Sequence, residues 1–153
     1  MIKLYAMNTN DVKGLERFVS AQDRDYETAL TELSYGRKQT HWMWYIFPQI
    51  QGLGFSDTAK FYGIKDLKEA TDYYTHPVLG PRLIKITAEL LNHTERTAHE
   101  IFGSPDDLKL RSSMTLFAQV PGADIVFTKV LDQFFKGESD QKTLRILGLQ
   151  AYC

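Results

Sequence analysis

The chain has 153 residues, 43% of them hydrophobic and 24% charged, with eighteen Lys and Arg against nineteen Asp and Glu for a formal charge of -1. That profile is one ordinary globular domain and excludes disordered, collagen-like and membrane classes. The basic residues are spread along the chain instead of gathered in one block, so nucleic-acid binding has no electrostatic support.

Cys153 is the only cysteine, which rules out an intrachain disulfide and a thiolate metal cluster and suits a reducing compartment. The opening "MIKLYAMNTNDVKG" has no apolar stretch of signal-peptide length. No window approaches the roughly eighteen apolar residues of a membrane span. The expectation is a cytoplasmic protein.

Residues 1–9 read as an extension ahead of a single all-helical domain over 10–150. The first helix signal is Asn10 or Asp11 followed by Leu15, Phe18 and Val19 at helical spacing. A second helix is predicted from Asp23 or Asp25, with Tyr26, Ala29, Leu30 and Leu33 inward and Gly36 ending it in a left-handed conformation. Trp42 to Phe47 is an apolar run stopped by Pro48. It reads as a short helix, because no second strand exists to pair with it.

"QGLG" (Gln51 to Gly54) is a turn, after which Ser56 caps a helix through Tyr62 that Gly63 closes. Asp66 and Glu69 form a capping-box-like pair for Leu67 to Tyr74. Pro77 suits a first helical position ahead of Leu79, Leu83, Ile86 and Leu90, with Gly80 and Pro81 complicating the first turn. "SPDD" predicts a helix capped by Ser104 with Pro105 at its first position, running through Leu110, Met114, Phe117 and Ala118. Ile125, Val126, Val130 and Phe134 mark a further helix ended by Gly137, and Asp140 and Gly148 bound a last one over Gln141 to Leu147. The architecture expected is a compact all-α domain of seven or eight short helices without a coiled coil.

Standard catalytic motifs are missing. "GLGFSD" has Asp57 where a dinucleotide fingerprint needs its third glycine, and the serine of "FGSPD" lacks the flanking glycines of a nucleophile elbow. The four histidines, His41, His76, His93 and His99, form no i, i+3 or i, i+4 pair, so no metal and no cofactor is expected.

Three stretches retain chemistry. In "GRKQTHWMWYIFPQIQGLGFS" (Gly36 to Ser56), Arg37, Lys38 and His41 precede Trp42 and Trp44, with Gln49 following. Cations beside flat aromatic faces suit a ligand that carries an anion and a planar ring. Core packing is the more economical explanation of the same aromatics. "KLRSSMTLF" places Lys109, Arg111, Ser112 and Ser113 within an apolar helix, with Ser113 turned toward the core side and needing a partner. "THPVLGPRL" offers Arg82 one turn into a helix whose start presents free amides to anions.

"HWMWYIFPQIQGLGFSDTAKFYGI", "EATDYYTHPVLGPRL", "KLRSSMTLF" and "VLDQFFKGESDQKTLRIL" closely resemble the bacterial family known as domain of unknown function 1810, from about Leu15 to Leu147. The resemblance implies an all-helical fold and no established activity. Some members carry the label calpastatin, which would imply a calpain inhibitor. Calpastatin's inhibitory segments are disordered peptides, whereas this composition is that of a packed globule.

The functional expectation is a site for a small anionic ligand, phosphate- or carboxylate-bearing and nucleotide-like, formed by Arg37, Lys38, Trp42, Trp44, Gln49, Ser112, Ser113 and Arg82. His41 is the residue predicted to serve as general acid or base if binding extends to metal-independent hydrolysis or group transfer. The alternative is a regulatory or protein-interaction domain whose polar cluster is structural, with its protein partner unknown.

Overall fold

The structure, a computed structural model, describes residues 9–149, so the predicted extension up to residue 8 lies outside the described residues. Within them the chain forms nine helices and no strand, gathered around one hydrophobic core. None of these helices is long and apolar enough to cross a membrane.

Helix α1 (Thr9–Ser34) is continuous over 26 residues where the sequence predicts two helices. No Gly or Pro falls between Val19 and Tyr26, and the inward face runs unbroken through Phe18, Gln22, Tyr26, Ala29 and Leu33, all buried. Gln22 allows the join. Its Nε2 donates to the Tyr45 carbonyl at 2.8 Å and to the Tyr73 hydroxyl at 2.9 Å, so a polar side chain in the core is satisfied. Asp23 and Asp25 are surface residues of this helix rather than caps: Asp23 pairs with Arg82 at 3.1 Å and Asp25 accepts from the Tyr45 hydroxyl. Gly36, at φ +79°, ends the segment as predicted.

The aromatic run contributes only a single helical turn, α2 (Met43–Ile46). Helices α3 (Asp57–Tyr62) and α4 (Leu67–Thr75) start where their caps are predicted, with Ser56 and Asp66 side chains accepting from the Ala59 and Glu69 amides. The second half of the α4 box is diverted, because Glu69 Oε1 takes the Lys65 amide at 2.7 Å. Between α2 and α4 the chain closes on itself through a parallel bridge of Ile50 and Ile64, whose two flanking hydrogen bonds are both 2.8 Å.

Helix α5 (Leu79–Leu90) begins two residues beyond Pro77. His76 governs that start, its Nδ1 accepting from the Val78 and Leu79 amides at 3.0 and 3.2 Å. Gly80 is required for the approach of α5 to α4, since a Cβ there would lie 2.0 Å from the Tyr74 carbonyl oxygen. Helix α6 (Ala98–Phe102) has no counterpart among the predicted elements; it is one short turn held by a reciprocal capping box between Thr97 and Glu100. Helix α7 (Asp106–Ala118) starts after Pro105 rather than at it. Ser104 is not its cap; the Leu108 amide donates to the Asp107 carboxylate at 2.8 Å, which supplies the acceptor the serine was expected to provide.

Helices α8 (Val126–Phe135) and α9 (Gln141–Leu147) end on left-handed Lys136 and Gly148. The central helix is α7, packed against α4, α6, α8 and α9 and buried at every position from Leu110 to Phe117 except Arg111. A helix buried on all sides has no solvent face on which to place polar residues. Its hydroxyls and its one guanidinium therefore point into the interior or into the cleft described next.

Candidate functional site

A cleft of about 360 Å³ opens between the 49–54 loop with α3 on one side and the first turns of α7 on the other, and α9 closes one end. One part is apolar and aromatic, lined by Trp44, Leu53, Tyr62 and Leu108. The other is polar and mostly cationic, with Lys109, Arg111 and Lys142 against the single carboxylate of Asp140. In a chain of net charge -1 this is a local concentration of positive charge.

Each cation is held differently. Lys109 Nζ stands 4.0 Å from the centroid of the Trp44 ring and 3.3 Å from Asp106. The other oxygen of Asp106 takes Lys38 at 3.0 Å, so one carboxylate ties the segment before α2 to the start of α7. Arg111 reaches Asp140 only loosely, at 3.9 Å, and its Nε is buried with no hydrogen-bond partner. Lys142 is exposed on α9 and makes no ion pair among the described residues.

Asp140 locks α9 onto α7. Its carboxylate accepts from the Ser112 hydroxyl at 2.9 Å and the Thr143 hydroxyl at 2.5 Å, and its amide donates to Thr115 Oγ1 at 2.9 Å. The Ser112 oxygen also lies 3.2 Å from the Leu108 carbonyl. The one acid in the cleft is thereby engaged with neutral donors, and the guanidinium beside it retains unused hydrogen-bonding capacity.

Beside Lys109 and Arg111 of the "KLRSSMTLF" stretch, the structure brings Trp44, Gln49 and Ser112 of the expected ligand site together in this cleft. The others do not line it. Trp42 is fully buried, donating through its indole to Glu32 at 2.9 Å. Lys38, with 7% of its side chain exposed, donates to the Thr40 carbonyl at 2.7 Å and to Asp106. Ser113 lies in the core with its hydroxyl unpartnered. Arg82 is engaged by Asp23 and stacks near Tyr26, and the helix start before it has its amides taken by His76. Arg37 and His41 are exposed, and neither side chain makes a hydrogen bond or ion pair among the described residues.

Glu32 organises the loop between α1 and α2. It accepts from the Gln39 and Thr40 amides, the Thr40 hydroxyl at 2.6 Å and the Trp42 indole. Burial alone would push its carboxyl up, but the hydrogen bonds from Thr40, Gln39 and Trp42 together outweigh it and hold the group down at about 2.

Lys142 and Tyr62 are cleft residues that the sequence reading passed over. Lys142 left one signal: a cation in the first turn of a helix opposes the helix dipole, and a local rule broken without structural gain points to another use. Tyr62 left none, since it reads as the last residue of a short amphipathic helix. Among the described residues no three His, Cys, Asp or Glu side chains gather as a metal site.

The family described as a protein of unknown function, DUF1810, matches residues 12–147. The chain belongs to the DUF1810 family. A chain of known crystal structure, the conserved hypothetical protein Rv1873 from Mycobacterium tuberculosis, is similar to it at 46% identity and a TM-score of 0.87, over 89% of this chain and 97% of the other. Among curated proteins none matches significantly. The DUF1810 resemblance read from the HWMW, "KLRSSMTLF" and neighbouring segments is thus the family of the chain, and the fold is shared along nearly its whole length.

Proposed function

We propose that this protein binds a small ligand carrying a phosphate or carboxylate next to a planar ring, in the cleft between α3, α7 and α9. The observation that supports it most is Arg111, whose buried Nε has no partner although its side chain lines a cleft with Lys109 and Lys142. An unsatisfied buried donor costs about 1 to 3 kcal/mol, and a guanidinium nitrogen with no hydrogen-bond partner among the described residues has none to give up when an anion enters the cleft. Trp44 and Tyr62 supply the aromatic wall for the ring.

Binding is the better supported half of this reading. His41, the expected acid or base, does not line the cleft, so hydrolysis or group transfer has a single foothold there, the Ser112 hydroxyl on Asp140. The proposed setting is the bacterial cytoplasm, which the single cysteine suits.

Thermal unfolding with inorganic phosphate, nucleotides, sugar phosphates, NAD-related compounds and small carboxylates tests the reading. A ligand at about 100 times its Kd adds roughly 2.7 kcal/mol, raising Tm by about 5 to 10 °C for a chain this size. The shift is expected to vanish in Arg111→Gln and to persist in His41→Ala. A shift that survives Arg111→Gln, or an absence of any shift across the panel, overturns it.

A further inference from the structure

We infer that the anion reaches this cleft on a polypeptide: the partner is an acidic segment with aromatic or aliphatic residues beside its charge. The inference rests on the anion reading above and adds the nature of the carrier.

A free small molecule leaves the rim of the cleft unexplained. Phe55 is 79% exposed and follows Gly54, a lining residue. Phe61 is 57% exposed and packs edge-on against lining Tyr62 at 4.8 Å. Leu108 is half exposed and lines the cleft itself, and Ile146 sits 3.4 Å from where a side chain at Gly52 would begin, next to lining Leu53. By contrast Tyr35, Val78 and Ile125, also exposed, stand singly at the ends of α1, α5 and α8. Single exposed apolar residues need no explanation, whereas several around one concave site mark a surface that another molecule covers.

The charge pattern selects the partner. Three cations inside an apolar rim match a short segment in which an acid is flanked by apolar residues, the interface pattern of an engaged centre with a water-excluding border. A nucleic-acid strand would need the cations to continue outward along its phosphates, and here the border of the cleft carries exposed apolar residues and the acids Asp57 and Glu138. An anionic bilayer is a continuous sheet of charge that would meet Asp57 and Glu138, exposed acids on the segments that border the cleft, whereas a peptide can set one acid on the cations and its apolar residues on the border.

The test is selection from a random dodecapeptide display library on the intact protein, with Phe55→Ser/Phe61→Ser and Arg111→Gln as variants. Both phenylalanines are mostly exposed, so the double variant stays folded and loses only the Phe61–Tyr62 ring contact. Selected peptides are expected to place Asp or Glu next to Phe, Trp or Leu. A synthetic copy should bind at least tenfold more weakly to the double variant and to Arg111→Gln, while the Tm shift given by inorganic phosphate or the best small anion is unchanged in the double variant. Selection without acidic and apolar enrichment, or a peptide that the double variant binds equally well, overturns the inference and leaves the small-ligand reading standing. Binding to phosphatidylserine vesicles that the double variant loses, without peptide binding, overturns it in favour of a membrane. Small-anion stabilisation that Arg111→Gln leaves intact overturns the underlying reading instead.

Discussion

Trp42 is buried with its indole on Glu32, whereas Trp44, the next residue but one, is half-buried beside the cleft with the Lys109 ammonium over its ring. Trp42 directly precedes α2 and Trp44 lies within it, both lie near a lysine, and both lysines meet on Asp106. The difference is direction. At the start of α2, a step of two residues rotates the side chain to the far side of the helix, so one indole faces the core under α1 and the other the cleft. The HWMW segment is therefore core at Trp42 and cleft wall at Trp44.

Replacing each indole in turn separates them. Trp42→Ala should cost about 3 to 5 kcal/mol, the range for deleting a fully buried aromatic. Trp44→Ala should cost roughly half of that or less, because part of its surface is already solvated, and should abolish the ligand-induced Tm shift. Urea unfolding of the two variants, with and without the best small anion, reads both effects. Equal losses of stability would mean that the cleft wall is as rigidly packed as the core.

Glu32 extends the comparison to acid. Glu32→Gln removes the charge behind four hydrogen bonds and should cost about 1 to 3 kcal/mol at neutral pH. The carboxyl, ordinarily at 4.5, is held at about 2 in the folded chain, so its contribution is full above about pH 5 and disappears as pH falls toward 2. Stability curves of the wild type and Glu32→Gln should converge over that interval. Curves that stay parallel would show that the Trp42 loop does not depend on the charge.

Elements stabilised by contacts within three or four residues were legible in the sequence. Ser56, Asp66 and the left-handed glycines Gly36 and Gly148 perform the roles expected of them. The same local reading failed where one residue type serves two purposes. Asp23 and Asp25 look like caps, but their partners, Arg82 and Tyr45, are distant in sequence, and those partners keep both acids on the surface of one unbroken helix. Thr97 with Glu100 was a readable capping box whose helix is too short to show a period. The cleft is harder still. Lys109, Arg111 and Ser112 stood out as polar residues within an apolar helix, yet Tyr62, Asp140 and Lys142 reach them only through the Ile50 bridge and the Asp140 lock, contacts that leave no spacing in the chain.

His76 offers a smaller test, at the start of α5 and outside the cleft. Burial lowers its pKa, Arg82 lowers it further against an opposing pull from Glu16, and Nδ1 must be unprotonated to accept the two amides at the start of α5. The neutral form therefore stabilises the fold above about pH 6.5, and that contribution is lost as pH falls through the depressed value. His76→Ala should cost about 1 kcal/mol, as for loss of a helix cap, with the difference from wild type shrinking below pH 6. Thermal melts between pH 5 and pH 8 check it.

The smallest expected change in stability is also the most informative about the cleft. Lys142 sits in the first turn of α9, where the helix dipole favours acids, so Lys142→Ala should leave stability unchanged or raise it by a few tenths of a kcal/mol. A residue kept for the fold alone has no reason to show that sign. If Lys142 serves the anion, the same substitution weakens ligand binding severalfold, and stability and affinity move in opposite directions. Titration calorimetry with the best small anion, beside a melt without ligand, measures the two signs. Unchanged affinity would reduce the cationic end of the cleft to Arg111 and Lys109.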